Sequence, residues 1–323
     1  MAMPGRTVSA IDVVVPTFNR WELTRTCLTL LAEQTVEHAV IVSDDGSTDG
    51  TPERVRQSFP HARIMVSDRN QGFAAACNRG ADAGSGAFVV LLNNDVRVRA
   101  DFLEQLVAPL ERDPHVGTVA PLLVRADERT IDSVGLTADP TLAGFPRLAG
   151  LPTSEAARER PVLLGPSGGA AAYRRRAWEA ASGLDEAIFF YMEDLDLALR
   201  LRATGWRAAA APEAVGVHLG SATIGARSER TRYNGGFARG YLLRRYGVLH
   251  TRAALRAAAT ELLVLGGDLV LSRDLAATRG RLAGWRAAAD APLRPRPPRE
   301  AIEGGIGFVE SLRLRRSNAA ATS

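Results

Sequence analysis

The chain has 323 residues, 46% of them hydrophobic and 24% charged, enough to bury one large α/β core and carry an appendage. Its net charge is only +4, and all 40 basic side chains are Arg. Neither aromatic interleaving nor a groove-reading motif accompanies them, so a compositional bias is favoured over a nucleic-acid partner.

The first 120 residues alternate strand and helix. "IDVVVP" (11–16) is an apolar run stopped by Pro16, and "WELTRTCLTLLAEQT" follows with Leu23, Cys27, Leu30 and Leu31 on one helical face. "AVIVSD" (39–44) with "TPERVRQSF" repeats the unit, Ser47 to Asp49 serving as candidate caps. "ARIMVSD" (62–68) with "FAAACNRGADAG" (73–84), then "AFVVLLNND" (87–95) with "ADFLEQLVAPLERD" (100–113), complete four units. Four such units predict a doubly wound, mostly parallel sheet flanked by helices, with the polar loops after each strand along one edge. Cys27 and Cys77 fall inside predicted helices without metal-ligand or redox spacing. They read as core filler in a reduced, cytoplasmic setting.

Past residue 120 the pattern changes. "DPTLAGFPRLAGLPTSEAARERP" (139–161) is rich in turn formers and reads as a long surface excursion, either a lid or disordered. Then come a strand, a glycine turn and a short helix in "VLLGPSGGAAAYRRRAWEAA", and a helix beginning near Glu193. Residues 230 to about 289 read as helical, 291–300 as a stiff Pro-rich connector, and the rest as a short basic tail. No leader pattern opens the chain, and "LLVLGGDLVL" (262–271) is too short and too polar to span a bilayer. The Arg clusters "YRRRAW", "YLLRRYG" and "SLRLRRS" could meet phosphates or lipid head groups, but such runs are usually solvated faces.

Several loops carry chemistry. "SDDGSTDG" puts Asp44 and Asp45 at the end of the second strand, where carboxylates can accept from a ligand's N–H or hydroxyl groups; a plain turn with a helix cap explains them as well. Gly72 at a helix start offers backbone N–H groups to an anion, with Asn70 and Asn78 adding amide donors, or is simply a cap. Asp95 of "NND" is a hard oxygen ligand at the sheet edge where open α/β folds bind ligands, suited to Mg²⁺ or Mn²⁺, or else an Asx turn. Glu193, Asp194 and Asp196 crowd a helix N-terminus, which the macrodipole alone favours. Alternatively, the aromatic "FFY" setting tunes one carboxylate as a general base while another holds the helix. His218 is either a core residue or, beside Asp95, a second metal ligand.

Together "VVVPTFNR", "VSDDGSTDGT", "NQGFAAACNRG", "LLNNDV", "GGAAAYRRRAWEAASGLDEAIFFYMEDLDLALRLRATGW" and "VHLGS" resemble the inverting family 2 glycosyltransferases of GT-A fold. The likeness is greatest to the branch with rhamnosyltransferases of cell-surface and natural-product glycans. It covers residues 9–250, which implies a catalytic domain there, a helical extension over 251–290 and a connector and tail over 291–323. It implies that Pro16 and Thr17 border the nucleotide with Asn19 and Asn94, and that Asp45, next to Asp44, contacts the base. Asn70 and Gly72 would approach the ribose or diphosphate, and Asp95 of a D-x-D-like motif would bind a divalent cation, Mg²⁺ or Mn²⁺. Asn93 stands where many relatives have the first Asp, so Asp95 would act with His218 and the diphosphate. Asp194 matches the catalytic base, with Glu193 as the alternative, and Gly168 and Gly169 would shape the acceptor side.

The partners so implied are a dTDP-, UDP- or GDP-sugar and a hydroxyl acceptor that can be lipid-linked. Peripheral association with the inner face of the cell membrane and a homodimer are compatible with the helical extension. A sugar nucleotidyltransferase would want a glycine-rich basic loop after the first strand, where "PTFNRWE" stands, and an oxidoreductase would want G-x-G-x-x-G there. A non-catalytic sugar-nucleotide binder is disfavoured by retention of both Asp95 and Asp194.

Overall fold

A computed structural model describes residues 10–220 and 228–321. Residues 1–9, where no leader pattern is expected, and Ser221 to Thr223 of "VGVHLGSAT" lie outside the described residues. The expected alternation is present: β1 (Ile11–Thr17), α1 (Trp21–Ala32), β2 (Ala39–Asp44), α2 (Thr51–Ser58), β3 (Arg63–Val66), α3 (Phe73–Asp82), β4 (Phe88–Leu92), β5 (Val96–Val98) and α4 (Phe102–Arg112). There follow β6 (Val116–Val124), β7 (Ile131–Ser133), β8 (Leu136–Ala138), β9 (Gly144–Pro146), β10 (Ala170–Arg174), α5 (Arg175–Ala180), α6 (Glu193–Ala203) and β11 (Arg207–His218). Four further helices close the fold: α7 (Glu229–Arg245), α8 (Ala254–Ser272), α9 (Ala276–Ala287) and α10 (Phe308–Ala321).

Nine strands form one sheet in the order β3-β2-β1-β4-β10-β6-β11-β5, with β7 paired to β6. β1 is buried along its whole length and has parallel neighbours on both sides, which is why it reads as an apolar run interrupted only by Asp12 before Pro16. Val13 and Val15 point into one layer with Leu28, Leu31 and Phe102, and Val14 into the other with Ala74, Cys77 and Trp178. Both cysteines are buried filler, as expected, and burial pushes the Cys27 thiol up to about 12.

β10 lies antiparallel between β4 and β6, so its N-terminal end arrives where β4 ends, Ala170 opposite Leu92. That reversal brings Gly168 and Gly169 to the edge already occupied by the loops after β1, β2 and β4. β11 runs parallel to β6 and antiparallel to β5, and its last residue, His218, pairs with Val96 at the same edge. His218 thus ends a twelve-residue strand.

Two stretches differ from expectation. Residues 139–161 are not a surface excursion: β8 and β9 form a hairpin, and Thr141, Phe145, Arg147 and Leu148 are buried. Asp139 closes the hairpin by accepting the N–H groups of Thr141 and Ala143, then accepts from Ser311 Oγ at 2.8 Å and Arg256 Nη2 at 3.0 Å. Those last two partners lie in α10 and α8, so the C-terminal helices cover the turn-rich segment. Correspondingly, residues 308–321 form a helix rather than a basic tail. A single apolar cluster joins Leu136, Leu195, Leu242, Val248, Ala257 and Ala288.

α7 and α9 cross at backbone contact. A Cβ at Gly236, Gly240, Gly280 or Gly284 would fall 1.9–2.3 Å from a carbonyl oxygen of the facing helix. Two of the three "YRRRAW" arginines, Arg174 and Arg175, turn inward, while Arg176 is exposed. Arg174 donates to the carbonyls of Leu110, Asp113 and Val116, and Arg175 pairs with buried Asp12 at 2.6 Å. They cap helix ends and a buried acid instead of facing a ligand. Among the described residues no helix is long and apolar enough to cross a membrane.

Candidate functional site

The loops after β1 and β2 are tied together by short polar clips. Asn19, at φ 58°, accepts the Thr48 N–H through Oδ1 at 2.9 Å, while its own N–H donates to Ser47 Oγ at 2.6 Å. Asn94 Nδ2 donates to Thr17 Oγ1 at 3.2 Å and Thr24 Oγ1 at 3.0 Å, fastening the end of β4 to that of β1. Pro16 sits beside Ser43 in the β1–β2 ladder. Asp44 is fully buried; its Oδ1 accepts from the Gly46 and Ser47 amides, and its Oδ2 has no partner among the described residues.

Asp45 and Gly72 meet each other. The Asp45 carboxylate accepts from the Gln71 N–H at 3.0 Å, the Gly72 N–H at 2.8 Å and Arg79 at 3.4 Å. The helix-start amide offered to an anion is therefore already engaged by a protein carboxylate. Gly72 itself is obligatory: at φ +102° its Cβ would lie 2.6 Å from Phe189 O. Asn70 Oδ1 is buried without a partner among the described residues, whereas Asn78 is spent on Leu184 and Glu186. A cavity of about 450 Å³ lies beside this loop and is walled in part by Gln71, Ala75 and Arg79.

Asp95 and His218 lie side by side at the sheet edge. His218 Nε2 lies 3.7 Å from Asp95 Oδ1, and Nδ1 is 2.8 Å from Asp132 Oδ2. A carboxylate on the far nitrogen fixes the ring and directs Nε2 at Asp95, an arrangement common behind metal-binding histidines. Burial opposes the charge on His218, but the Asp132 hydrogen bond and nearby Asp95 outweigh it and raise its pKa. Asp95 is 6% exposed, its Oδ1 has no hydrogen-bond donor among the described residues, and burial raises its pKa. Among the described residues no three acidic, His or Cys side chains surround one point. The donor set thus suits a hard cation whose remaining ligands come from a phosphate-bearing substrate.

α6 opens on strained backbone, Tyr191 at φ 73° and Met192 at φ 68°. Asp194 is half-buried; Oδ2 accepts the Gly168 N–H at 2.7 Å and Oδ1 the Leu195 N–H at 2.7 Å. Burial raises its pKa against those two donors. Glu193 is buried, its Oε2 unpartnered among the described residues, and burial with the adjacent Asp194 charge pushes it up to about 8. Asp196 is the acid that holds the helix, bound by Arg200 at 2.8 Å, the Tyr246 hydroxyl at 3.0 Å and Arg294.

Gly168 and Gly169 bridge the two halves. A Cβ on Gly168 would sit 3.4 Å from Asp194 Oδ2, and one on Gly169 would sit 3.9 Å from the His218 ring; Gly169 O also accepts the Asn93 N–H at 3.0 Å. Three contributors were not legible in the sequence: Asp132 behind His218, Thr24 under Asn94 and Arg79 on Asp45. Nothing in their local spacing marks them, since each acts across 34 residues or more.

Residues 12–180 match the family description "Glycosyl transferase family 2". An N-acetylglucosaminyl-diphospho-decaprenol L-rhamnosyltransferase of Mycobacterium tuberculosis is 31% identical over 214 residues, 59% of this chain and 69% of the relative. A validoxylamine A glucosyltransferase of Streptomyces hygroscopicus is 37% identical over 33% of this chain and 27% of its own length. In three dimensions, the mannosyltransferase PcManGT from Pyrobaculum calidifontis in complex with GDP-Man and Mn²⁺ superposes with a TM-score of 0.54 at 22% identity, over 98% of this chain and 81% of that one. GalNAc-T7 with UDP, GalNAc and Mn²⁺ gives 0.59 at 14% identity, over 97% and 58%. These neighbours share the GT-A arrangement of a central sheet with helices on both faces.

Proposed function

The chain belongs to glycosyl transferase family 2, and from that premise we propose that it transfers a sugar from a nucleoside diphosphate to an acceptor hydroxyl with inversion, in one displacement. The observation that carries this reading is the Gly168–Gly169 bridge, which sets the oriented Asp194 carboxylate beside the Asp95–His218 pair. Asp194 accepts the acceptor's proton as its oxygen bonds to the anomeric carbon and the bond to the diphosphate oxygen breaks. Two backbone N–H donors aim that carboxylate and oppose the rise that burial gives its pKa, while buried Glu193 holds its own proton near neutrality. A divalent cation, Mg²⁺ or Mn²⁺, would be held by Asp95 and His218 and would neutralise the leaving diphosphate.

The loops around Thr17, Asn19, Asp44, Asp45, Asn70 and Gly72 would receive the nucleotide of a dTDP-, UDP- or GDP-sugar. Asp45 already holds the Gly72 loop, so its part there is to shape the pocket as well as to meet the base. The rhamnosyltransferase relative acts on a polyprenyl-linked diphospho sugar, by its name. We take a deoxyhexosyl donor and a lipid-linked acceptor of cell-wall type as the first pair to test, with the protein working at the inner face of the cell membrane. The experiment is a thermal-shift screen against UDP, dTDP, GDP and CDP sugars with and without Mn²⁺. A ligand at a hundredfold its Kd adds about 2.7 kcal/mol. A metal-dependent shift with one nucleotide is expected; none with any of them would reject the donor site.

A further inference from the structure

A second cavity, of about 190 Å³, opens against Met192, the residue just before Glu193 and Asp194. It shares no residue with the donor loops. Its wall carries Arg232, Arg239, Arg281 and Arg315, with Asp268 as the one acid. Behind the wall a single carboxylate serves three guanidinium groups: Glu261 Oε1 accepts from Arg239 at 2.7 Å and Arg315 at 3.2 Å, and Oε2 from Arg281 at 2.9 Å.

The three arginines are not equally satisfied. Arg239 spends its remaining nitrogens on the Leu142 and Thr141 carbonyls. Among the described residues Arg315 makes only the Glu261 bond, and its buried Nε and Nη2 have no partner. Burial and repulsion from Arg239 push its pKa down to about 10, the response of a cation short of counter-charge. A buried guanidinium with two unmet donors is costly, and that planar pair of donors matches a phosphate oxygen pair.

We propose that this cavity binds a phosphate or diphosphate group, the one carried by the acceptor, through Arg315 and Arg281 with Arg239 behind them. The assignment rests on the glycosyl-transfer reading, because Met192 places a sugar attached to that group beside Asp194. The cavity's position on α8 favours a lipid as the source. Glu261 and Asp268 lie on the inner side of that helix, while Leu255, Leu262, Leu263, Leu269 and Val270 on the same helix are exposed, Leu255 by 88%. An anionic group joined to an apolar chain would satisfy both faces at once.

The test is calorimetric titration of the full-length protein with inorganic pyrophosphate, followed by acceptor kinetics. Arg315→Gln should weaken pyrophosphate about tenfold or more, and Asp268→Asn, which removes the acid from the wall, should tighten it. Opposite directions guard against a folding defect in either variant. With a polyprenyl-diphosphate-linked acceptor, Arg315→Gln should raise the acceptor KM with kcat and the donor KM unchanged. A polyprenyl diphosphate in detergent should displace pyrophosphate at lower concentration than the free nucleoside diphosphates, and the corresponding alcohol should not. Equal displacement by nucleoside diphosphates would overturn the acceptor assignment. Pyrophosphate binding that ignores both substitutions would overturn the site. Arg315-dependent binding in a protein that transfers no sugar would keep the site and reject the glycosyl-transfer reading instead.

Discussion

Asp194→Asn paired with Glu193→Gln separates the two candidate bases. Each Asp194 oxygen accepts one backbone N–H at 2.7 Å, and Asn offers only one acceptor oxygen. One of the amides of Gly168 and Leu195 must therefore face an NH₂ group, a loss of about 1–3 kcal/mol of stability. Removal of a general base costs about 10²- to 10⁴-fold in kcat, or roughly 3–5 kcal/mol of barrier. Glu193 carries its proton near neutrality because burial and Asp194 push it up to about 8, so Gln is nearly isosteric and isoelectronic there. Its kcat at pH 7 should stay within about threefold of the parent, a small change beside the effect of losing a base. The sign for stability follows. A carboxyl raised in the folded state costs nothing below its unfolded value, and wild-type stability declines as pH rises from there toward 8. Glu193→Gln should lack that decline. The assay is steady-state transfer from pH 6 to 9 with donor binding measured separately, alongside thermal unfolding. Full turnover by Asp194→Asn, or its loss only in Glu193→Gln, would exchange the two roles.

Other expectations follow from the same contacts. Asp132→Asn removes the partner that orients His218 and should weaken Mn²⁺ about 10- to 100-fold at pH 7; an unchanged metal titration would reject that role, and Asp95→Ala should weaken metal-dependent donor binding in the same assay. Glu261, held at about 2 against an unfolded value of 4.5, contributes about 3 kcal/mol above pH 4.5 that is lost as pH falls toward 2. Glu261→Gln should flatten that acid limb, and superimposable acid-unfolding curves would contradict it. Gly284→Ala places a Cβ 1.9 Å from Phe237 O, so α7 and α9 must part; a loss of about 1–3 kcal/mol is expected, and an unmoved melting midpoint would mean the helices are not in backbone contact.

The βα units were legible because β1 and β4 are buried on both faces and write that burial as apolar runs, VVV in β1 and FVVLL in β4. The segment 139–161 was misleading for a related reason. Its turn formers do make turns, but the elements that bury them, α8 and α10, come more than a hundred residues later through Arg256 and Ser311. Composition reports what a segment can form locally and is silent on what lands upon it. The same holds for Arg174 and Arg175, which read as a charged face and instead cap helices and a buried Asp12. The α7–α9 contact, by contrast, was written in the chain as Gly236 and Gly240 facing Gly280 and Gly284, a spacing of four on both helices.

The motifs named loops that converge on one sheet edge without saying which of their groups were free. Asp45 and the Gly72 amide each suit a ligand in isolation, yet they bind each other across 27 residues and become part of the wall. The reverse holds for the buried side-chain oxygens left without a donor among the described residues: Ser43, Asp44, Asn70, Asp95, Glu193 and Thr137. All but Thr137, in the β8 hairpin, lie at or beside the edge where β1, β2, β4, β10 and β11 converge. Buried acceptors are normally satisfied, so a row of open ones is a cost that the fold carries. Hydrogen-bond donors or a cation brought by a bound partner would relieve it. The pattern of unmet acceptors thus marks this edge as a place to receive a ligand, and it arises from the packing of this chain alone.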